Sequence, residues 1–352
     1  MLVRRASAVA AIMIASLAVP VQQAVAAPAN DMPFASATTV GLHNTYERGA
    51  FDYLAEALDT GTSLIEIDIW PNVFTGKWKV SHDEPLSNNN NCTTGSTLAD
   101  LYTGSRNKHF GDCLHNIRVW LEAHPDSGPL MIKVEPKLGL ATAFGMGVDQ
   151  VDNLVRSRLG DRVFRPADLL AKPGGGWYDS LDDAAQAGNW PTREELAGRV
   201  LLHVVPGTVE NRNPFDWAPT NEQYAEHLRD LAASGEIEDA QIFPTAKGTA
   251  GDDPRDQYDA NIRPWFVVFD SGASGWLNRD TTWFAANNYL LVMTSAHAVA
   301  PAISSTNPTE AEARERLLLL AGANASVITS DWTQLPQIQS MVVPRGEQDE
   351  TV

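Results

Sequence analysis

Cysteine is nearly absent from this 352-residue chain, which has only Cys92 and Cys113. Two thiols cannot build a small disulfide scaffold, and no histidine cluster accompanies them to complete a zinc site. Positive charge is scarce as well: 26 Lys and Arg stand against 44 Asp and Glu, a formal net charge of −18. That balance argues against nucleic-acid binding, which needs a basic footprint, and against broad adhesion to anionic membranes. It does not exclude an anionic substrate, because a bound divalent cation reverses the field in one cleft. Repeats, heptads and low-complexity tracts are missing. The stretch Pro173-Gly174-Gly175-Gly176 lacks the Gly-Lys-Ser/Thr of a phosphate loop. Ser295-Ala296-His297 lacks a nucleophile elbow, which weakens a serine-hydrolase reading.

What is present is an ordinary globular composition, 43% hydrophobic and 20% charged. Residues 1–27 read as a signal peptide. Arg4 and Arg5 form a basic start, Ala8 to Val19 an apolar centre too short to span a bilayer, and Ala24-Val25-Ala26 a cleavage pattern. The expectation is a secreted protein with one catalytic domain over residues 28–352. No later apolar run is long enough for a span. In an exported chain an even cysteine pair usually oxidises, so Cys92 and Cys113 are expected to form a disulfide. The chain-entropy model gives such a bridge about 3 kcal/mol.

Strand and helix patterns alternate through the chain. Strands are predicted over Thr38–Leu42, Ser63–Trp70, Pro129–Glu135, Arg199–Val205, Gln241–Pro244, Pro264–Asp270, Tyr289–Thr294 and Ser326–Ser330. Continuous apolar runs such as Leu201-Leu202-His203-Val204-Val205 suit strands buried on both faces. Helices are predicted over Phe51–Asp59, Ile117–Ala123, Gly147–Leu159, Asn221–Ser234 and Thr309–Ala323, the last ending at Gly322. Eight strands with intervening helices point to an α/β fold, a (β/α)8 TIM-type barrel, ahead of an open doubly wound sheet.

Chemistry at a parallel barrel sits at the C-terminal strand ends. There the chain places His43-Asn44, Glu66-Ile67-Asp68, His82 and Lys133-Val134-Glu135. The i, i+2 spacing puts Glu66 and Asp68 on one face, and Lys133 and Glu135 on one face. His82 follows a short extension, Trp78–Ser81, expected to pair with Val73–Phe74 across a Thr75-Gly76 turn. Three converging carboxylates without a cation would repel each other and protonate. Oxygen donors from Asn44, Glu66, Asp68 and Glu135 suit Ca2+, with Mg2+ as the alternative. His43 and His82 are then free for proton transfer. Lys133 is a candidate phosphate contact, with pairing to Glu66 or Glu135 as the other reading. His109, His115, His124 and His227 read as solvated, His203 as a core residue, and the Asn88–Asn91 run as a solvated turn.

These segments resemble the calcium-dependent branch of the phosphoinositide-specific phospholipase C superfamily. The resemblance rests on His43-Asn44-Thr45-Tyr46, Glu66-Ile67-Asp68, His82 and Glu135. It implies calcium ligation by Asn44, Glu66, Asp68 and Glu135. It also implies that His43 and His82 serve the phosphate, one stabilising the pentacoordinate charge and the other protonating the leaving alkoxide. Glu66 or Glu135 would take the proton of an attacking inositol hydroxyl, giving a cyclic phosphodiester. The implied partner is a phospholipid or inositol phosphodiester, with transient membrane-surface contact, no nucleic acid and no obligate protein partner. Rival readings are a glycerophosphodiester phosphodiesterase or phospholipase D-like activity on the same barrel, or a secreted binding barrel without turnover. His82-Asp83 is reminiscent of the first of these, but its His-Arg-Gly and Pro-Glu-Asn-Thr segments are missing.

Overall fold

A computed structural model describes residues 31–210, 218–248 and 251–346. The segment read as a signal peptide, residues 1–27, lies outside the described residues. Eight strands run parallel: β1 (Ala37–Leu42), β2 (Leu64–Asn72), β4 (Leu130–Pro136), β5 (Val200–Val204), β6 (Ile242–Lys247), β7 (Val268–Gly272), β8 (Leu290–Thr294) and β9 (Val327–Ser330). β1 pairs with both β2 and β9, so the sheet closes on itself. Closure rules out the open doubly wound sheet. Two short strands lie outside the barrel and pair antiparallel: β3 (Lys77–Val80) on β2 and β10 (Val342–Pro344) on β1.

The longer helices are α2 (Phe110–Ala123), α3 (Val148–Leu159), α6 (Thr220–Ser234) and α9 (Glu310–Gly322), and the short α1 (Leu54–Asp59) precedes them. Four more short ones lie between these, α4 (Pro166–Leu170), α5 (Leu181–Gln186), α7 (Ala273–Trp276) and α8 (Thr282–Ala286), and α10 (Pro336–Gln339) follows α9. α2 begins seven residues before the predicted Ile117. α9 starts from a Thr309–Glu312 capping box, leaving Pro308 outside the helix. Its end is turned by Asn324, whose φ is +65°, rather than by Gly322. Before β7, Arg263–Trp265 forms a 3-10 turn where strand was expected. Pro264 has no N–H to give a ladder, and its fixed φ suits a first helical turn.

Apolar faces of the strands are buried beneath these helices. Ile65, Ile67 and Ile69 of β2 join Ile132 and Val134 of β4 in one cluster with Leu54, Leu58, Leu114 and Ile117. Each such side chain contributes about 1.5–3 kcal/mol when fully buried. Alternate residues therefore point into the barrel, which is how polar side chains come to line its C-terminal mouth.

The disulfide forms between Cys92 and Cys113, and it ties the loop after β3 to α2. Gly41 fixes the approach of β1 to β2. A Cβ there would lie 2.7 Å from Leu64 Cβ and 3.1 Å from Thr329 Cγ2. Gly41→Ala is therefore expected to cost about 1–3 kcal/mol, the usual range for overpacking. It should also lower activity, because His43 lies two residues further on. Denaturant unfolding with parallel turnover assays checks this, and wild-type stability would refute the packing argument.

Candidate active site

β2 and β4 pair in register, with Glu66 opposite Lys133 and Asp68 opposite Glu135. This brings four charged side chains to one patch of the barrel mouth, each at most 7% exposed. Glu66, Asp68 and Glu135 each offer a carboxylate oxygen, and those three oxygens lie within 4.8 Å of one another. Three anions this close need positive charge, and two lysines supply it. Lys133 Nζ sits 3.3 Å from Glu66 Oε1 and 3.2 Å from Asp270 Oδ2. Lys137 Nζ sits 2.8 Å from Asp68 Oδ2 and 3.2 Å from Glu135 Oε2.

The balance around Asp68 is incomplete. Burial and the neighbouring Glu66 and Glu135 push its carboxyl up to about 7, with Lys137 only partly opposing them. Neither of its buried oxygens receives a hydrogen bond of good geometry. Such a group is suited to a hard divalent cation, which would neutralise it fully. Glu135, by contrast, is held below its usual range. It is buried, but Lys137 and a hydrogen bond from the Thr208 N–H, 2.8 Å from Oε1, outweigh that burial. Gly207 lets the Thr208 loop lie against the end of β4. A Cβ at Gly207 would be 2.0 Å from the Pro136 carbonyl oxygen.

Asn44 follows β1 with φ +49°, a left-handed turn that asparagine tolerates. Its Oδ1 accepts a 3.4 Å hydrogen bond from the Tyr46 hydroxyl. Burial, with Asp68 beside it, raises that hydroxyl above its ordinary range. Tyr46 thus links Asn44 to the carboxylate group.

His43 stands half-exposed above the carboxylates. Its Nε2 is 3.6 Å from Glu66 Oε2 and its Nδ1 is 3.0 Å from Asp331 Oδ1. Its pKa is raised: burial acts to lower it, but the bond to Asp331 and the charges of Glu66 and Asp331 prevail. Imidazolium is favoured, with Asp331 orienting the ring.

His82 leaves the β2–β3 hairpin level with Asp68, because the Ser81 N–H bonds the Asp68 carbonyl at 3.4 Å. Its Nδ1 is 2.9 Å from the exposed carboxylate of Asp83. The hairpin register differs from expectation. Lys77–Val80 pairs with Ile69–Asn72, and Val73–Gly76 forms the turn, closed by Gly76 at φ +63°. The Asn88–Asn91 run is not simply solvated. Asn90 and Asn91 are fully buried. Asn90 bonds the carbonyls of Val80 and Lys108, and Asn91 those of Thr45 and Phe51. These amides tie the loop after His82 to the segment after His43.

The structure therefore gathers Glu66, Asp68, Glu135, Lys133 and His43 at the mouth of the barrel. Lys133 is turned inward onto Glu66 and Asp270, which is the pairing reading rather than a phosphate contact. Three residues escaped the sequence reading: Asp331, Lys137 and Asp270. Lys137 shares the inward face of Glu135 at i+2, a signal obscured by the intervening Pro136. His203 is a core residue, as read. It bonds Thr245 Oγ1 at 3.0 Å, and burial beside Lys133 pushes it down to about 3, so it stays neutral. His227 is not solvated: its Nε2 lies 3.2 Å from the buried carboxylate of Asp152. His124 stacks on Trp120 with ring centroids 4.2 Å apart.

Comparison with known proteins gives a consistent result. The profile of the family described as phosphoinositide phospholipase C, Ca2+-dependent, matches residues 45–232. A solved Ca2+-dependent phosphatidylinositol-specific phospholipase C from Streptomyces antibioticus is 45% identical. That match covers 90% of this chain and 100% of that one, at a TM-score of 0.86. A calcium-dependent phosphoinositol-specific phospholipase C from a Pseudomonas species, solved with myoinositol, shares the fold at 18% identity and a TM-score of 0.63. The match covers 90% of this chain and 96% of the Pseudomonas one. No curated protein sequence matches significantly.

Proposed function

Because the chain belongs to the Ca2+-dependent phosphoinositide phospholipase C family and is a phosphoric diester hydrolase, we propose that it cleaves phosphatidylinositol or a related inositol phosphodiester through a cyclic inositol phosphate. The observation that carries this reading is the buried Glu66–Asp68–Glu135 group, with His43 3.6 Å from Glu66. Asn44 and the three carboxylates would hold calcium. When bound, the ion supplies charge stabilisation at the phosphate and lowers the pKa of a coordinated hydroxyl.

The residues of the chain divide the remaining work. The inositol 2-hydroxyl attacks phosphorus, and the bond from phosphorus to the diacylglycerol oxygen breaks. Glu66 takes the hydroxyl proton, being the carboxylate next to His43, through the Oε2 that faces the ring while Oε1 faces Lys133. His43, oriented by Asp331 and with its charged form favoured by that carboxylate, stabilises the negative charge that builds on the phosphoryl oxygens. His82 protonates the leaving alkoxide. Lys133 and Asp270 support Glu66 from below.

The β2–β3 turn and the loop after His82 suit contact with a lipid surface. Phe74 is 96% exposed and Leu86 88% exposed, both on the side of the barrel where β2 ends. Lys79 Nζ donates to the Leu86 carbonyl, linking the two loops, and Lys77 beside them is exposed. The double variant Phe74→Ser/Leu86→Ser is expected to lower activity on phosphatidylinositol vesicles about tenfold or more, given 1.5–3 kcal/mol per fully buried apolar side chain. Activity on a water-soluble inositol phosphodiester should be unchanged. Equal losses on both substrates would refute surface contact.

The reaction is tested by ³¹P NMR of protein with phosphatidylinositol and calcium. A cyclic phosphodiester resonance that chelation abolishes is expected. An acyclic phosphomonoester or phosphatidic acid as the first product would overturn the cyclic route, the latter in favour of a phospholipase D-like reaction.

A further inference from the structure

Opposite the carboxylates, at the N-terminal end of the barrel, lies a cavity of about 230 Å³. Ser63 before β2, Ser127 and Gly128 before β4, Ser340 before β10 and Arg193 before β5 help to line it. Arg193 is only 5% exposed. Its main chain is fixed by its N–H bonding the Met32 carbonyl at 2.9 Å. Among the described residues its buried Nε has no hydrogen-bond partner, and neither does the buried hydroxyl of Ser127. One Nη lies 3.2 Å from where a Cβ on Gly128 would stand.

Other buried arginines have more side-chain partners, although one Nη of Arg345 is also left without one. Arg345 donates to the carbonyls of Asn324, Ala35 and Tyr289, and Arg316 to those of Ala296 and Pro301. Arg255 pairs with Asp253 and Asp182. Arg193 has no carboxylate within reach among the described residues. Burial alone pulls its guanidinium down to about 10, so it remains charged at neutral pH.

A buried charge is costly unless it is paired. Water in the cavity could accept its hydrogen bonds but would not neutralise it. A guanidinium fork with a free hydroxyl nearby is suited to an oxyanion. At ~30 Å³ per water molecule, the cavity has room for a phosphate group and its hydration. The chain is strongly acidic overall, so attraction of an anion here must come from these local donors.

We propose that the Arg193 cavity is a second ligand site, remote from the carboxylates, that binds a small oxyanion: inorganic phosphate or the phosphate of a phosphomonoester. Isothermal titration of the full protein with inorganic phosphate, and separately with inositol 1-phosphate, tests this. One phosphate is expected to bind wild type and His43→Ala alike, and at least tenfold more weakly to Arg193→Gln. Comparable affinity for both ligands would identify the free anion as sufficient; much tighter inositol 1-phosphate binding, still lost in Arg193→Gln, would identify the ester. Ser127→Asp provides an independent arm should Arg193→Gln fold poorly. A carboxylate on the cavity wall should raise the melting temperature without ligand and abolish the phosphate response. Wild-type binding weaker than about 10 mM, Arg193→Gln binding like wild type, or Ser127→Asp keeping the full phosphate response would each overturn the proposal.

Discussion

His82→Ala is expected to lower turnover by roughly 10²–10⁴-fold, the usual worth of a positioned acid or base. Stability should hardly change, because the ring is about one-third exposed and its ionic partner is the exposed carboxylate of Asp83. Steady-state release of cyclic inositol phosphate, together with thermal melting, measures both effects. A substrate whose leaving group needs no proton separates acid catalysis from a structural role. The deficit should largely vanish with that substrate if His82 protonates the alkoxide. If His82→Ala turns over the natural substrate at near wild-type rate, His82 has no part in the mechanism.

Asp68→Asn is expected to raise the calcium concentration needed for half-maximal activity at least tenfold, about 1.4 kcal/mol in binding. The pH dependence sharpens this. Asp68 has its carboxyl raised to about 7 in the metal-free protein. Below that pH it holds a proton, and a cation must displace it; above it the carboxylate is already free. Apparent calcium affinity in the wild type should therefore weaken as pH falls below about 7, approaching tenfold per unit, with proton release on binding. In Asp68→Asn that dependence should flatten. Calorimetry in buffers of different ionisation enthalpy reads the proton count directly. The same pH slope in variant and wild type would remove Asp68 from the metal site.

Much of this site could be read without coordinates, and particular residues show why. Glu66 and Asp68 interrupt an apolar strand at a two-residue spacing, which is hard to explain without partners inside a barrel. His43 and His82 stand beside such strand ends. Asp331 carried no comparable signal. It touches His43 across 288 positions of sequence, and only the pairing of β1 with β9 brings the two together. Asn90 and Asn91 look like loop residues by type, and their burial depends on how the loop packs between β3 and the segment after β1. The short helices α4, α5, α7, α8 and α10 span four to six residues, too few for a helical period to declare itself. Lys133 could be placed on the correct face, but not in its role. Whether its ammonium turns out to substrate or in to Asp270 depends on a carboxylate of β7 that pattern alone does not bring near.

The account stands on one ion shared by Glu66, Asp68 and Glu135. The most direct test is a crystal structure of the wild-type protein grown with calcium and phased to show anomalous signal. The expected result is a single calcium peak bridging those three carboxylates, with Lys137 moved off Asp68. A structure with Lys137 still between Asp68 and Glu135, and with calcium elsewhere or nowhere, would contradict it.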